Sequence, residues 1–166
     1  SVGCGGSMTI SSLGLPDALR AQGNPVYFHW DVKPEERAEI FEKAKAAGGY
    51  LCSTNAITMN AKPINIDGSG NRLASMLYGH EALYIVAGVN KLAPDLPAAL
   101  DRARNIAAPR NARRLNCKTP CALSEPMRCH DCHSPARICK GFCVLTRPMG
   151  GVGRTEVLLI GETLGY

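Results

Sequence analysis

Apolar and polar positions along this chain alternate between two kinds of segment. Short apolar runs of strand length stand between stretches whose apolar residues recur every three or four positions, which is the spacing of an amphipathic helix. The clearest helix is Pro34–Ala47, PEERAEIFEKAKAA, with a proline and two glutamates in its first turn, where the helix dipole favours negative charge. Its apolar stripe consists of Ile40, Phe41, Ala44 and Ala47.

The same pattern predicts three more helical segments and five strands. The helices span Leu15–Gln22, Pro97–Ala108 with Asp95 as its cap, and a shorter segment after Pro109 that runs through Leu115. The strands span Val26–Trp30, Tyr50–Thr54, Pro63–Ile66, Leu83–Val89 and Glu156–Ile160. Alternating strands and helices predict an α/β fold with a mostly parallel sheet and helices on both of its faces.

Composition indicates one domain over residues 1–166. Hydrophobic residues make up 45% and charged residues 20%, but aromatics make up only 5%, so the core is expected to be aliphatic. No apolar run approaches the roughly 18 residues of a membrane span. The start, SVGCGGSMTI, lacks the features of a signal peptide, so we expect a cytoplasmic protein. Because it opens on a glycine turn without a methionine, we also expect a further N-terminal segment before it.

Positive charge is concentrated in the second half of the chain. Residues 101–147 carry ten Lys or Arg against three acids, a net charge of +7, while the rest of the chain carries −2. Nucleic-acid binding is disfavoured, because Phe142 is the only aromatic residue in this segment on which a base would stack. Alternatively, the cations offset a negatively charged thiolate site. A solvated helix face accounts for Arg102 and Arg104.

Six of the eight cysteines lie within residues 117–143. Structural disulfides are disfavoured, because the chain has no export signal and its predicted core is large enough to be stable without cross-links. Six inert buried thiols are also disfavoured, because the stretch is polar and contains prolines. We therefore expect a cysteine-rich loop insertion that binds a metal.

The spacing of these cysteines suits two metals. Zinc commonly takes two close ligand pairs, here Cys129/Cys132 and Cys139/Cys143, and His130 and His133 are further candidate ligands. A [4Fe–4S] cluster takes four thiolates, for which Cys121, Cys129, Cys132 and Cys139 are the candidates. The basic surroundings favour the negatively charged cluster slightly. The spacing alone does not decide between iron and zinc.

Several motifs resemble the LUD-domain (lactate-utilisation) family, in the same order along the whole chain. They are GCGGSMT at the start, CSTNAIT (52–58), INIDGSGNR (64–72), VAGVNK (86–91), RNIAAPRNARRL (104–115), the TPC-x7-C-x2-C-x6-C pattern and the closing GETLGY.

The resemblance implies a fold, a function and a ligand set. The fold is similar to that of sugar-phosphate isomerases and coenzyme A transferases. Better-known members act with iron–sulfur partner subunits in oxidising lactate to pyruvate, and members usually begin some tens of residues before the glycine turn. A subset carries the cysteine insertion, and its pattern falls on Cys121, Cys129, Cys132 and Cys139. Cys117 and Cys143 lie outside it.

The glycine turn predicts a site for a small anion such as a carboxylate or phosphate. Adjacent glycines permit positive φ, so that backbone N–H groups converge, and the resembling superfamily contacts anions at this place. Polar residues at predicted strand ends and turns are Asn55, Asp67, Asn71, Arg72, Asn90 and Lys91, of which Asn55, Asp67 and Asn71 also suit local turn chemistry. The predicted ligand site comprises Gly3, Gly5, Gly6, Ser7, Asn55, Asp67, Asn90 and Lys91.

No catalytic residue is identifiable in the sequence. There is no Ser-His-Asp or Cys-His set, His29 is expected to be structural, and Cys4 is either reactive or a packing residue. One hypothesis is a [4Fe–4S] protein in the oxidation of a small organic acid. The second is a small-anion-binding or regulatory domain that zinc or a cluster holds in shape. The third, an acyl or sugar-phosphate enzyme, is disfavoured because no catalytic carboxylate is found.

Overall fold

Two β-sheets organise the chain, in a computed structural model that describes all residues from 1 to 166. The first unit comprises residues 1–53, 71–89 and 147–165, and the second comprises 54–70, 90–146 and residue 166. The strands are β1 (Val2–Cys4), β2 (Val26–Phe28), β3 (Gly49–Cys52), β4 (Ala56–Thr58), β5 (Pro63–Asp67), β6 (Ala82–Gly88), β7 (Leu92–Ala93), β8 (Gly141–Val144) and β9 (Arg154–Ile160). The helices are α1 (Met8–Ser12), α2 (Leu15–Ala21), α3 (Arg37–Lys45), α4 (Asn71–Leu77), α5 (Leu96–Arg102), α6 (Ala108–Arg114) and α7 (Pro120–Leu123).

The sheet of the first unit confirms the predicted parallel architecture. Its five strands lie in the order β2-β1-β3-β6-β9, and every neighbouring pair is parallel. The predicted strands Tyr50–Thr54, Leu83–Val89 and Glu156–Ile160 correspond to β3, β6 and β9 with small differences at their ends. The long apolar runs therefore identified the central strand pairs correctly.

Helices cover both faces of this sheet. Gly3 faces α3 so closely that a Cβ atom on it would lie 2.4 Å from the carbonyl oxygen of Ala44. The next residue, Cys4, packs with Ile10 of α1 and with Phe28. Successive strand residues point to opposite faces, so α3 and α1 lie on opposite sides of the sheet.

The sheet of the second unit was not predicted from the sequence. It has the order β7-β4-β5-β8, with antiparallel β4/β5 and β5/β8 pairs and a parallel β4/β7 pair. Ala56, Ile64 and Ile66 of this sheet pack against Ala99 and Ala103 of the helix above them. The cysteine stretch contributes β8 to this sheet and also forms α7, so it is not a loop throughout.

The helix after Asp95 continues through the predicted break at Pro109. Asp95 caps α5 through a 2.9 Å hydrogen bond from the Ala98 N–H to its Oδ1, as expected. A π-helical turn, Ala103–Ala107, then joins α5 to α6, and Pro109 lies in the first turn of α6. Proline lacks an N–H and its ring conflicts with the carbonyl four residues earlier. The wider π turn accommodates this without ending the helix.

The remaining helices agree with the pattern in outline. The predicted Pro34–Ala47 helix consists of a 3-10 turn, Pro34–Glu36, followed by α3. The predicted strand Val26–Trp30 ends two residues earlier, at Phe28. None of the helices combines the length and the apolar character that a membrane crossing requires.

We expect Gly3→Ala to lower the free energy of unfolding by about 1–3 kcal/mol, because the new methyl group meets fixed backbone rather than a flexible side chain. Gly150→Ala is the matched control, since a Cβ atom there has no neighbour within 4 Å. Urea unfolding of the three proteins measures the difference. Equal midpoints for Gly3→Ala and the parent would contradict the close approach of β1 and α3.

Candidate functional site

The glycine turn connects the end of β1 to the start of α1. Gly5 continues the sheet contacts for one residue, since its N–H donates to the carbonyl of Leu51 at 2.9 Å. Ser7 then caps α1: its backbone is extended and its Oγ accepts a hydrogen bond from the N–H of Ile10 at 3.3 Å. Ser7 is also buried, at 8% exposure. Its hydroxyl is therefore already engaged in shaping the turn.

Close packing, rather than positive φ, accounts for the glycines of this turn. Neither Gly5 nor Gly6 lies in the left-handed region, so the expectation based on positive φ was wrong. A Cβ atom on Gly5 would lie 3.0 Å from the hydroxyl of Tyr50, and one on Gly6 would lie 2.9 Å from the His29 ring. Larger residues would thus collide with the side chains that surround the turn.

The side chains around the turn are polar, and contacts among them fix some of their positions. The Cδ atom of Arg72 lies 3.5 Å from the position of a Gly5 Cβ, so a guanidinium-bearing side chain borders the turn. Tyr50 is buried and stacks on His80 with ring centroids 5.0 Å apart. His80 is fixed in turn by Nδ1, which lies 2.7 Å from the carbonyl of Ala47. The sequence motif contained Arg72 but gave no sign that it lies beside Gly5.

Cys4 is a packing residue rather than a reactive one. Its side chain is 2% exposed, and burial raises the pKa of its thiol to about 12. A thiol with so high a pKa stays protonated and weakly nucleophilic at neutral pH. Cys52 is likewise fully buried, as its position on a strand indicated.

Two predicted ligand residues of the second unit bond to nearby backbone instead. Asn55 accepts the Ile66 N–H through Oδ1 at 2.7 Å. Asp67 accepts the N–H groups of Ser69 and Gly70 through Oδ1 at 3.0 and 3.1 Å, which is the geometry of an Asx turn. Both side chains therefore use oxygen lone pairs to hold local structure.

Arg102 connects the other predicted strand-end residue to this region. Its Nε donates to the carbonyl of Asn90 at 2.9 Å, and its Nη1 donates to the carbonyl of Asn55. Desolvation by burial, followed by repulsion from Arg110, lowers the pKa of Arg102. The interpretation of Arg102 as part of a solvated helix face was wrong. Lys91, next to Asn90, is also buried, at 3% exposure.

The eight predicted ligand residues are divided between the two units. Gly3, Gly5, Gly6 and Ser7 belong to the first unit, and Asn55, Asp67, Asn90 and Lys91 belong to the second. One ligand shared by the two groups therefore stays a prediction.

The four candidate metal ligands all belong to the second unit and are free thiols. Cys121 is on α7, Cys129 and Cys132 are in the irregular segment that follows, and Cys139 packs against the core of the unit. Their side chains are half-buried. No three His, Cys, Asp or Glu side chains of the structure are grouped closely enough to hold a metal ion as they stand.

Hydrogen-bond donors nevertheless point at the sulfur atoms. The Nη2 of Arg104 lies 3.7 Å from Cys129 Sγ, and the backbone N–H of Asp131 lies 3.4 Å from the same sulfur. The hydroxyl of Thr119 lies 3.4 Å from Cys121 Sγ. Hydrogen bonding to Cys129 is the largest cause that raises the pKa of Arg104. Arg104 is 41% exposed, as the sequence indicated, and in addition contacts the thiol of Cys129.

Arg137 connects two of the cysteines. It donates through Nη1 to the carbonyl of Cys132 at 2.6 Å and through Nε to the carbonyl of Cys139 at 2.9 Å. Electrostatic interaction with Cys139 is the largest cause that raises the pKa of Arg137. Asp131 lies between the two arginines, 3.2 Å from Arg104 and 3.5 Å from Arg137. One ionic cluster therefore links the segment that contains Cys129, Cys132 and Cys139.

The π turn adds a second support for Cys129. Asn105 Oδ1 accepts the backbone N–H of Cys129 at 3.0 Å, and Asn105 Nδ2 donates to Asp101 at 2.6 Å. An open groove of about 520 Å³ lies beside this contact. It is lined by Leu100, Asp101, Arg104, Asn105, Arg128, Cys129, His130 and Asp131.

The two remaining cysteines lie at the two ends of the stretch. The N–H of Cys117 donates to the carbonyl of Ala112 at 2.9 Å and so continues the end of α6. Cys143 is on β8 opposite Asn65, and burial raises the pKa of its thiol.

The family model of the LUD domain matches residues 1–160 of the chain. The chain therefore belongs to the LUD-domain family, and this membership supports a role related to lactate utilisation. No curated protein and no solved structure gave a match.

Proposed function

We propose that this LUD-domain chain carries a [4Fe–4S] cluster on Cys121, Cys129, Cys132 and Cys139, and that it acts in the oxidation of a small organic acid of the lactate type. The observation that carries the proposal is the placement of Arg104 and Arg137 against the segment that contains three of these cysteines. We further propose that iron–sulfur partner subunits exchange electrons with it, and that it works in the cytoplasm. The free state of all eight cysteines agrees with a reducing compartment.

The donor set fits such a cluster in its chemistry. Four thiols are uncommitted to disulfides, and N–H groups are directed at one of the sulfur atoms. Two guanidinium groups face a single carboxylate, Asp131, so the neighbourhood keeps a surplus of positive charge. Thiolates are stabilised by nearby cations, and N–H···S bonds raise the potential of a cluster.

A bound cluster would accept and pass on single electrons. The chain's own residues fix the ligands for this. Asn105 holds the backbone of Cys129, Arg137 holds the backbones of Cys132 and Cys139, and Arg104 places a positive charge next to Cys129 Sγ. Anchoring of this kind reduces the conformational freedom that ligands lose when a metal binds.

The second candidate is a domain that binds small anions without catalysis and whose cysteine segment is held in shape by zinc. It is favoured by the same four thiols, because a tetrahedral Cys4 site is a standard structural site for zinc. His130 and His133 are exposed in the same segment and are available as alternative nitrogen ligands. The two candidates differ in iron and acid-labile sulfide, which only a cluster contains.

We expect serine at position 121, 129, 132 or 139 to remove most of the iron and sulfide from anaerobically purified protein, because each thiolate supplies one of four bonds. Cys117→Ser and Cys143→Ser are matched controls from the same stretch and should retain both. Iron, sulfide and zinc analysis with visible absorbance makes the measurement. Stoichiometric zinc without sulfide in the parent would favour the second candidate.

We expect Arg104→Met to lower the reduction potential of the cluster by on the order of 60 mV, about a tenfold change in a one-electron equilibrium. The substitution removes a positive charge and a donor next to Cys129 Sγ, both of which favour the more negative reduced state. A redox titration followed by electron paramagnetic resonance measures the shift. Arg110→Met, an exposed residue of α6, is the control. Equal shifts for both variants would show that Arg104 has no specific effect.

We propose that the carboxylate of the acid binds at the glycine turn, where Gly3–Ser7 and Arg72 lie together. A charge-assisted contact contributes roughly 1.5–3 kcal/mol, so Arg72→Met should weaken binding tenfold to a hundredfold. Gly5→Val should abolish binding by filling the space beside Tyr50. Calorimetric titrations with lactate, pyruvate, phosphate and coenzyme A measure these effects. Arg37→Met, exposed on α3, should bind like the parent. Unchanged binding by Arg72→Met and Gly5→Val would exclude the turn as the site.

A further inference from the structure

Strand β9 forms one edge of the parallel sheet and exposes an apolar row. It has seven residues and pairs only with β6, so the backbone groups on its other side have no strand partner in the sheet. Val157, Leu158 and Leu159 are 37%, 42% and 46% exposed. A long apolar edge strand is a template for pairing with another strand.

The opposite edge of the same sheet is protected in the usual ways. Strand β2 has only three residues and follows directly on Pro25, and Phe28 at its end is buried. Short edge strands and prolines limit edge-to-edge pairing. Residues 155–160 of β9 contain no proline and no lysine. The two edges therefore differ, and only β9 is suited to accept a partner.

We propose that β9 pairs with β9 of a second copy of this chain, antiparallel about a two-fold axis at Leu158. Such an isologous contact joins the two five-stranded sheets into one continuous ten-stranded sheet. In this register Val157 of each copy lies opposite Leu159 of the other, and the two Leu158 residues lie opposite each other. The exposed apolar row is then covered by itself.

Charge complementarity selects this register over its neighbours. Pairing about Leu158 places Arg154 opposite Glu162 of the other copy, so one ion pair closes each end of the apolar row. Pairing about Leu159 places Glu156 opposite Glu162, which is repulsive. Pairing about Val157 forms no ion pair, because Arg154 then lies opposite Ile160. Like charges directly opposite each other destabilise a strand pair, whereas opposite charges stabilise it.

Arg154 and Glu162 flank the apolar row, Arg154 at the start of β9 and Glu162 in the bend that follows its end at Ile160. The carbonyl of Glu162 accepts the N–H of Val89 at 3.2 Å, so the chain still runs beside the end of β6 at this point. Arg154 Nε lies 3.2 Å from Glu156 Oε1, and Arg154 Nη2 donates to the hydroxyl of Tyr84. The Arg154 side chain is 60% exposed, and Glu162 is exposed. Each is therefore accessible to a partner strand.

Sedimentation velocity over a concentration series of the purified chain tests the proposal. We expect a monomer–dimer equilibrium, because a contact of this size belongs to the weak class of interfaces. Leu158→Lys should abolish the dimer, since it places two positive charges together at the axis. Arg154→Glu and Glu162→Arg, tested singly, should each weaken dimerisation about tenfold, because each creates two like-charge pairs.

Mixing the two charge variants is the decisive experiment. A heterodimer of Arg154→Glu with Glu162→Arg has opposite charges at both ends, so the mixture should dimerise as the parent does although neither variant does so alone. Met59→Lys, which also replaces a strongly exposed apolar residue, should leave the dimer unchanged. A parent that stays monomeric, a dimer that survives Leu158→Lys, or a mixture without rescue would overturn the proposal.

Discussion

Close approach of backbones through small residues is the constraint on which this structure depends. With few aromatic side chains, alanine is the most frequent buried hydrophobic residue, and where it packs a helix can lie almost against a strand. Gly3 against Ala44 is the tightest example. In the second unit the buried row Ala99, Ala103 and Ala107 recurs every four residues, and the next buried alanine, Ala112, comes after five.

The helix that carries this row also connects the packing to the cysteines. It widens into the π turn, Ala103–Ala107, before α6 begins. The residues between the alanines are directed away from the core. Arg102, Arg104 and Asn105 all lie between buried alanines. Arg102 donates to the carbonyls of Asn55 and Asn90, Arg104 contacts Cys129 Sγ, and Asn105 accepts the backbone N–H of Cys129.

The sequence predicted the parts of the fold that local patterns determine. The runs LYIVAGV and VLLI are long and apolar enough to identify β6 and β9. The second sheet was not predictable in this way, because β7 has two residues, β4 has three, and β8 lies in a cysteine-rich stretch without periodicity. Its pairing of Ile64 with Val144 joins residues distant in sequence. For the same reason, the sequence identified the cysteines but not the arginines that face them.

The basic excess of residues 101–147 has a structural explanation that bears on function. Five of its ten cations bond within the second unit: Arg102, Arg104, Arg113, Arg114 and Arg137. Arg113 holds the carbonyls of Ala122 and Ser124 at the end of α7, as Arg137 holds those of Cys132 and Cys139. Three of these guanidinium groups, those of Arg104, Arg113 and Arg137, therefore shape the segment that carries the thiols, and Arg104 and Arg137 also place positive charge on it. Nearby cations of this kind stabilise thiolates.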